Sequence, residues 1–215
     1  MGDIHGEIAP LRRALTWLRG WRGRLIFVGD YVNRGLFSRE VIEDLIEFKS
    51  EFGNRATFLR GNHDLALLDF LNGDDPSRFF AHGGLVTLHS YLGDAVADNP
   101  LTAFRSQFPP THYKFLDLLE DFWEGSDVFV SHSGLNPSSP QSREVADVVC
   151  GSHASLFDPG TALPKVVIAG HYAQRTRTPF VSSQFICVDS GCGAIPGAPL
   201  SMVLYPNREV ITFGS

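Results

Sequence analysis

Residues 24–35 read Arg24-Leu25-Ile26-Phe27-Val28-Gly29-Asp30-Tyr31-Val32-Asn33-Arg34-Gly35. A short apolar run ends on Gly29-Asp30, and a loop bounded by Gly29 and Gly35 follows. The run has the length and composition of a buried strand, and its carboxyl end hands out a carboxylate. The arrangement recurs. Ala56-Thr57-Phe58-Leu59 leads into Arg60-Gly61-Asn62-His63-Asp64. Asp127-Val128-Phe129-Val130-Ser131 leads into His132-Ser133-Gly134, and Lys165-Val166-Val167-Ile168-Ala169 into Gly170-His171. In open α/β sheets, sites gather in the loops at the carboxyl ends of strands. Four such strands side by side would bring Asp30, Asn62, His132 and His171 together. Gly2-Asp3-Ile4-His5-Gly6 offers the same chemistry, but only Met1 and Gly2 precede Asp3. The strand that should support it is therefore expected to be missing.

Between these runs the periodicity changes. Leu11, Ala14, Leu15 and Leu18 predict an amphipathic helix over roughly 8–20. Ser38 is the expected N-cap of a helix carrying Val41, Ile42, Leu45 and Phe48. Another helix should start at Asp64 and fade near Asn72-Gly73. Residues 73–110 read as irregular, with loops at Gly73-Asp74-Asp75-Pro76 and Pro109-Pro110. Phe115, Leu118, Leu119 and Phe122 predict one more helix face, and 134–164 a loop with one short helix. A strand is expected at Phe185-Ile186-Cys187-Val188, then a hairpin of 200–205 and 209–213 around Pro206-Asn207. Trp17, Trp21, Phe115 and Phe122 are expected in the core. The expected fold is an α/β sandwich of two central mixed β-sheets flanked by helices, forming one catalytic domain over 1–215.

The 215 residues suffice for one sizeable core, and 43% hydrophobic with 20% charged residues is ordinary for a globular chain. A net charge of -6 argues against bulk nucleic-acid binding, which favours a basic face. Cys150, Cys187 and Cys192 are odd in number and form no CxxC pair, so reduced thiols and a cytoplasmic location are expected. No apolar run approaches membrane-spanning length, so no membrane partner is expected.

Asp3, His5, Asp30, Asn62, His132 and His171 offer oxygen and nitrogen ligands without a thiolate. That set suits manganese, iron or zinc better than calcium or magnesium. Two such ions about 3.5–4 Å apart clamp a phosphoryl oxygen and acidify a shared water, and a bridging carboxylate must hold them. Asp30, in its glycine-bounded loop, is the best candidate for the bridge. His63 follows Asn62 directly, and consecutive loop side chains diverge, so His63 is better placed to protonate a leaving group. Arg34 can offer a planar fork to phosphate.

This ordered set resembles the calcineurin-like metallophosphoesterases, and within them the phosphoprotein phosphatases. Their signature is GDxHG, GDxxDRG, GNH[ED], H[AG]G and GH. Residues 59–64, the segment His82-Gly83-Gly84-Leu85-Val86-Thr87-Leu88-His89-Ser90-Tyr91, and Val188-Asp189-Ser190-Gly191-Cys192 are similar to the small bacterial and lambda-phage-type members. The resemblance implies that Asp3 and His5 bind a first metal, that Asp30 bridges, and that Asn62, His132 and His171 bind a second. It implies His63 as general acid, Arg34 as phosphate ligand, two divalent cations with Mn2+ foremost, and a phosphorylated protein or small phosphoester as substrate. Hydrolysis would use a metal-activated water without a phosphoenzyme.

The chain departs from the pattern in two more places. Asn33 stands where the family has the second Asp of GDxxDRG, which orients the catalytic His and favours its protonated form; an amide orients but supplies no charge. The stretch Cys150-Gly151-Ser152-His153-Ala154-Ser155-Leu156-Phe157 lacks the family's second phosphate-binding arginine, for which Arg143, Arg175 and Arg177 are the possible substitutes. Two rival readings follow: a dinucleoside-polyphosphate hydrolase of the same fold, and a catalytically impaired metal- or phosphate-binding protein. In the first rival's relatives the first motif often carries Gln where this chain has His5, which favours the phosphatase. His82, His89, His112 and His153 read as structural or solvated, and Asp189 as structural.

Overall fold

A computed structural model describes residues 1–93 and 99–214. Strands β1 (Leu25–Phe27) and β2 (Ala56–Phe58) pair in parallel, and β8 (Leu200–Leu204) and β9 (Glu209–Phe213) form the expected hairpin. Residues 1–2 lie between these pairs. The Met1 amino group donates to Ile26 O, Val28 N to Met1 O, and Gly2 N to Ser201 O, at 2.9, 3.0 and 2.9 Å. Met1 and Gly2, ahead of Asp3, are thus hydrogen-bonded to both neighbours. An apolar cavity of about 210 Å³, lined among others by Leu25, Phe27, Met202 and Leu204, continues alongside Met1.

The second sheet has the order β3-β4-β5-β7-β6, from β3 (Phe122–Glu124), β4 (Val128–Ser131), β5 (Val166–Ala169), β6 (Phe180–Val181) and β7 (Phe185–Cys187). Its central three strands are parallel and its two edges antiparallel. Val28 and Leu59 from the first layer pack with Val128, Val130, Ile186 and Val188 from the second. The four motif-bearing strands are therefore not neighbours in one sheet. β1 and β2 belong to one layer and β4 and β5 to the other, and their carboxyl ends converge across the sandwich.

Helix α1 (Ile8–Leu18) buries Leu11, Ala14, Leu15 and Leu18, the stripe read from the sequence. Each of these buried leucines contributes about 1.5–3 kcal/mol. Helix α2 (Ser38–Phe52) buries Val41, Ile42, Leu45 and Phe48. Ser38 does not cap it, because its hydroxyl is taken by Asn33 N and Thr87 Oγ1. Helix α3 (Asn62–Asn72) starts two residues earlier than expected, because Asp64 reaches back to accept from Gly61 N at 3.0 Å.

The stretch read as irregular holds three helices, α4 (Ser77–Ala81), α5 (Gly84–Leu92) and α6 (Pro100–Gln107); residues 94–98 lie outside the described ones. These helices are short, and stacked aromatics rather than a long periodic stripe tie them down: Phe79 and Phe104 both pack on Phe70. Helix α7 (Pro110–Asp117) ends before Phe122, which lies in β3. Helix α8 (Val145–Val148) is the short helix expected in 134–164. Phe115 is buried, whereas Trp17 is 40% exposed and stacks on Trp21 at the surface.

Candidate active site

The loop after β1 is built by its neighbours. Asp30 N and Tyr31 N donate to the Asp64 carboxylate at 2.7 and 2.9 Å. Ile4 N and His5 N donate to Asp30 O, and Gly35 N to His5 O, so the first two motifs are laced together. The Asp3 carboxylate receives His171 N at 3.1 Å, joining the first motif to the last. A Cβ at Gly170 would stand 2.0 Å from Asp3 Oδ1, so only glycine permits this approach. Among the described non-glycine residues, His5, Asp30, Asn33, Arg34 and His171 have positive φ, with only Arg177 and Arg208 beside them. Each such residue costs about 1–3 kcal/mol, and strain of this kind clusters at functional sites.

Asp30 is the hub. Its Oδ1 accepts from His63 N at 2.9 Å, at the start of α3. Its Oδ2 is left facing His132 Nε2 at 3.3 Å, His5 Nε2 at 3.5 Å and His63 Nε2 at 3.8 Å. Asp3 Oδ2 lies 3.9 Å from His5 Nε2. Asn62 Oδ1 lies 3.0 Å from both His132 Nε2 and His171 Nδ1, which are themselves 3.2 Å apart. Two groups of buried ligand atoms, Asp3–Asp30–His132 and His5–Asp30–His63, are each close enough to hold a metal ion.

The donor chemistry fits a cation. His5 Nδ1 donates to Val32 O at 3.1 Å and His132 Nδ1 to Val28 O at 2.9 Å. Those bonds fix the rings and turn both Nε2 atoms inward, as metal-ligating histidines require. His5 Nε2 is buried without a hydrogen-bond partner. Burial holds the Asp3 carboxyl well above its usual range, with the neighbouring Asp189 adding to the effect. Burial lowers His5 and His171 to about 4. His132 goes the other way: burial opposes its charge, but Asp30 overrides it and raises the ring to about 10. Burial would likewise raise Asp30, yet His132, His63 and His5 hold it well below the ordinary carboxylate value.

His63 and Asn62 do diverge. Asn62 points to His132 and His171, whereas His63 Nδ1 meets the Asn33 amide at 3.1 Å and its Nε2 lies 3.3 Å from Arg34 Nη2. The Asn33 side chain is oriented in turn. Thr87 Oγ1 donates to Asn33 Oδ1 at 2.8 Å, which leaves the amide N–H for His63 Nδ1. Burial, offset in part by Asp30, keeps the His63 ring well below the ordinary histidine value.

Three contributors escaped the sequence reading. Asp64 accepts three backbone N–H groups and fixes both the Asp30 loop and the α3 start. Thr87 sets the Asn33 amide; its signal was the GGxxT spacing in a segment otherwise read as irregular. His82, taken as structural or solvated, stacks on the His63 ring at 4.6 Å and lies 3.4 Å from Asn62 Nδ2. Of the substitute arginines, Arg143 bonds Glu124, Pro140 O and Ser142 O and covers Phe129, so it is engaged in structure. Asp189 is buried and accepts from Gly191 N, as a structural residue would.

No helix among the described residues is long and apolar enough to cross a membrane. The fold has known counterparts. A candidate diadenosine tetraphosphatase superposes with TM-score 0.65 at 23% identity, covering 100% of this chain and 91% of its own. A metallophosphoesterase from Sphaerobacter thermophilus does so with TM-score 0.54 at 19% identity, covering 99% and 85%. A protein serine/threonine phosphatase from Saccharomyces cerevisiae gives TM-score 0.51 at 16% identity, covering 100% and 78%. The calcineurin-like phosphoesterase family model matches residues 1–175, which takes in every motif that meets around Asp30, and the chain belongs to that family of metallophosphoesterases.

Proposed function

We propose that the chain, as one catalytic domain, hydrolyses phosphate monoesters with two divalent cations and acts on phosphoserine or phosphothreonine in proteins. The observation that carries this reading is the division of labour on Asp30: Oδ1 is held by the α3 N-terminus and Oδ2 faces the nitrogens of His5, His63 and His132. Asp3, His5 and Asp30 would hold one ion, and Asp30, Asn62, His132 and His171 the other. Mn2+ is the first choice, with iron and zinc suited to the same donors. When bound, the ions supply Lewis acidity toward the phosphoryl oxygens and an acidified water.

The protein's own groups do the rest. Arg34 presents its guanidinium to the phosphate beside His63. The His63 ring turns Nε2 toward the leaving oxygen, because the Asn33 amide holds Nδ1. Asn33 orients this ring without charging it. The three cysteines are free thiols, which supports a cytoplasmic setting.

The similarity to a candidate diadenosine tetraphosphatase favours a second reading, hydrolysis of a dinucleoside polyphosphate at the same centre. Turnover of p-nitrophenyl phosphate with and without Mn2+ tests the enzyme, and absence of metal-dependent turnover refutes it. Relative kcat/KM for a phosphothreonine peptide and diadenosine tetraphosphate then decides between the substrates.

A further inference from the structure

A groove of about 770 Å³ lies beside the centre, with Arg34, Arg175, Arg177, Gly193, Ile195 and Pro196 in its walls. It meets the centre on two sides. Arg34 reaches His63, and Gly193 backs onto His5, where a Cβ at position 193 would stand 2.5 Å from His5 Cβ. Arg175 and Arg177 sit in the turn between β5 and β6. Gln174 N, donating to Asp189 O at 3.1 Å, and Arg177 N, donating to Gln174 O at 2.9 Å, fix that turn. Arg177 adopts φ 59°, a conformation costly for a non-glycine residue. Both guanidinium groups are exposed, and neither has an ion pair or side-chain hydrogen bond among the described residues. Arg12, Arg60 and Arg143, by contrast, are each paired with a carboxylate. In a chain of net charge -6, a groove with three cations is a local reversal of sign.

We propose that this groove binds the acidic residues flanking the phosphorylated side chain of a peptide substrate, with Arg175 and Arg177 as specificity-determining residues. The inference rests on the phosphoprotein reading above and names the sequence class it prefers. The chemistry follows from the walls. Guanidinium forks hold carboxylates in paired hydrogen bonds. Ile195 and Pro196 add apolar surface to the same walls, which suits a polypeptide carrying both acidic and apolar side chains. The groove is open to solvent, so an extended chain can leave it without a terminus.

The test compares the wild type with Arg175→Ala/Arg177→Ala on four substrates: p-nitrophenyl phosphate, a phosphothreonine peptide flanked by Glu and Asp, the same peptide flanked by Ala, and diadenosine tetraphosphate. Two exposed charge-assisted contacts correspond to roughly five- to twentyfold. The double variant should lose that factor in kcat/KM on the acidic peptide, mostly through KM. Its rates on the Ala peptide and on p-nitrophenyl phosphate should hold within twofold; a parallel loss on every substrate would make the two arginines ligands of the transferred phosphate and overturn the proposal. Anisotropy of a labelled, unphosphorylated acidic peptide should show the same loss of binding, relieved in the wild type by raised salt. Equal acidic-to-Ala ratios in the two proteins overturn the proposal. So does a loss confined to diadenosine tetraphosphate, which would assign the groove to a phosphate chain. If neither phosphopeptide is turned over although p-nitrophenyl phosphate is, the phosphoprotein reading fails; the binding measurement then still decides whether the groove recognises acidic peptide.

Discussion

Asn33→Asp is the most informative single change to this site. Asn33 has φ 71°, which Asp tolerates as readily as Asn, so the backbone need not move. Thr87 can still donate to Oδ1, while the second carboxylate oxygen replaces an amide nitrogen now 3.1 Å from His63 Nδ1. Two unit charges about 4 Å apart attract by about 4 kcal/mol at an effective dielectric near 20. Desolvation of the new carboxylate and repulsion from Asp30 reduce the net to a rise of about 1–3 pKa units in His63. The sign follows. The imidazolium is the acid, activity is lost as pH rises through its pKa, and raising that pKa moves the basic limb of the kcat profile to higher pH. Alkyl phosphates depend on protonation of the leaving oxygen, so their kcat should rise about tenfold, within the range of general-acid effects. Activated aryl esters should change much less. The assay is kcat against pH for an alkyl phosphate and p-nitrophenyl phosphate in both proteins. An unchanged ratio and an unmoved basic limb would refute His63 as the acid or Asn33 as its partner.

Other outcomes follow from the same contacts. Thr87→Val removes the hydroxyl that accepts Asn33 N and orients its amide; it should cost about 1–3 kcal/mol by denaturant melting and lower the alkyl-to-aryl rate ratio, and an unchanged ratio would count against the relay. Gly170→Ala forces a Cβ onto Asp3, so Mn2+ affinity should fall at least tenfold by calorimetry, and native affinity would mean that Asp3 is not a ligand. In metal-free protein His132 is raised to about 10 by Asp30 against the effect of burial, whereas His5 and His171 sit near 4. Metal uptake at pH 7 should therefore release a proton from His132, so affinity strengthens with rising pH. Calorimetry in buffers of different ionisation enthalpy measures this, and zero proton release would contradict it.

The sequence was most informative where one strand ended on one candidate ligand. Asp30, Asn62, His132 and His171 could each be singled out because an apolar run stopped beside it, and the four do meet in the structure. Which sheet each strand joins was not legible. Short apolar runs carry no partner information, and β1–β2 and β4–β5 fell into separate layers. The first motif was identified without its strand because GDIHG carries the chemistry itself. The helices of 73–110 were missed because Phe70, Phe79 and Phe104 hold them through tertiary stacking that no local period announces. Asp64 and Thr87 were passed over for a related reason. Their partners are 33, 34 and 54 residues away in the chain.

The central claim is that two metal ions share Asp30. Its most direct test is the number of Mn2+ ions retained per chain, by elemental analysis after equilibration and gel filtration, in the wild type and in Asp30→Asn, alongside Mn2+-dependent p-nitrophenyl phosphate turnover. The account predicts two ions in the active wild type, and fewer than one in an inactive but folded variant. One ion in the fully active wild type, or two ions retained by Asp30→Asn, would contradict it.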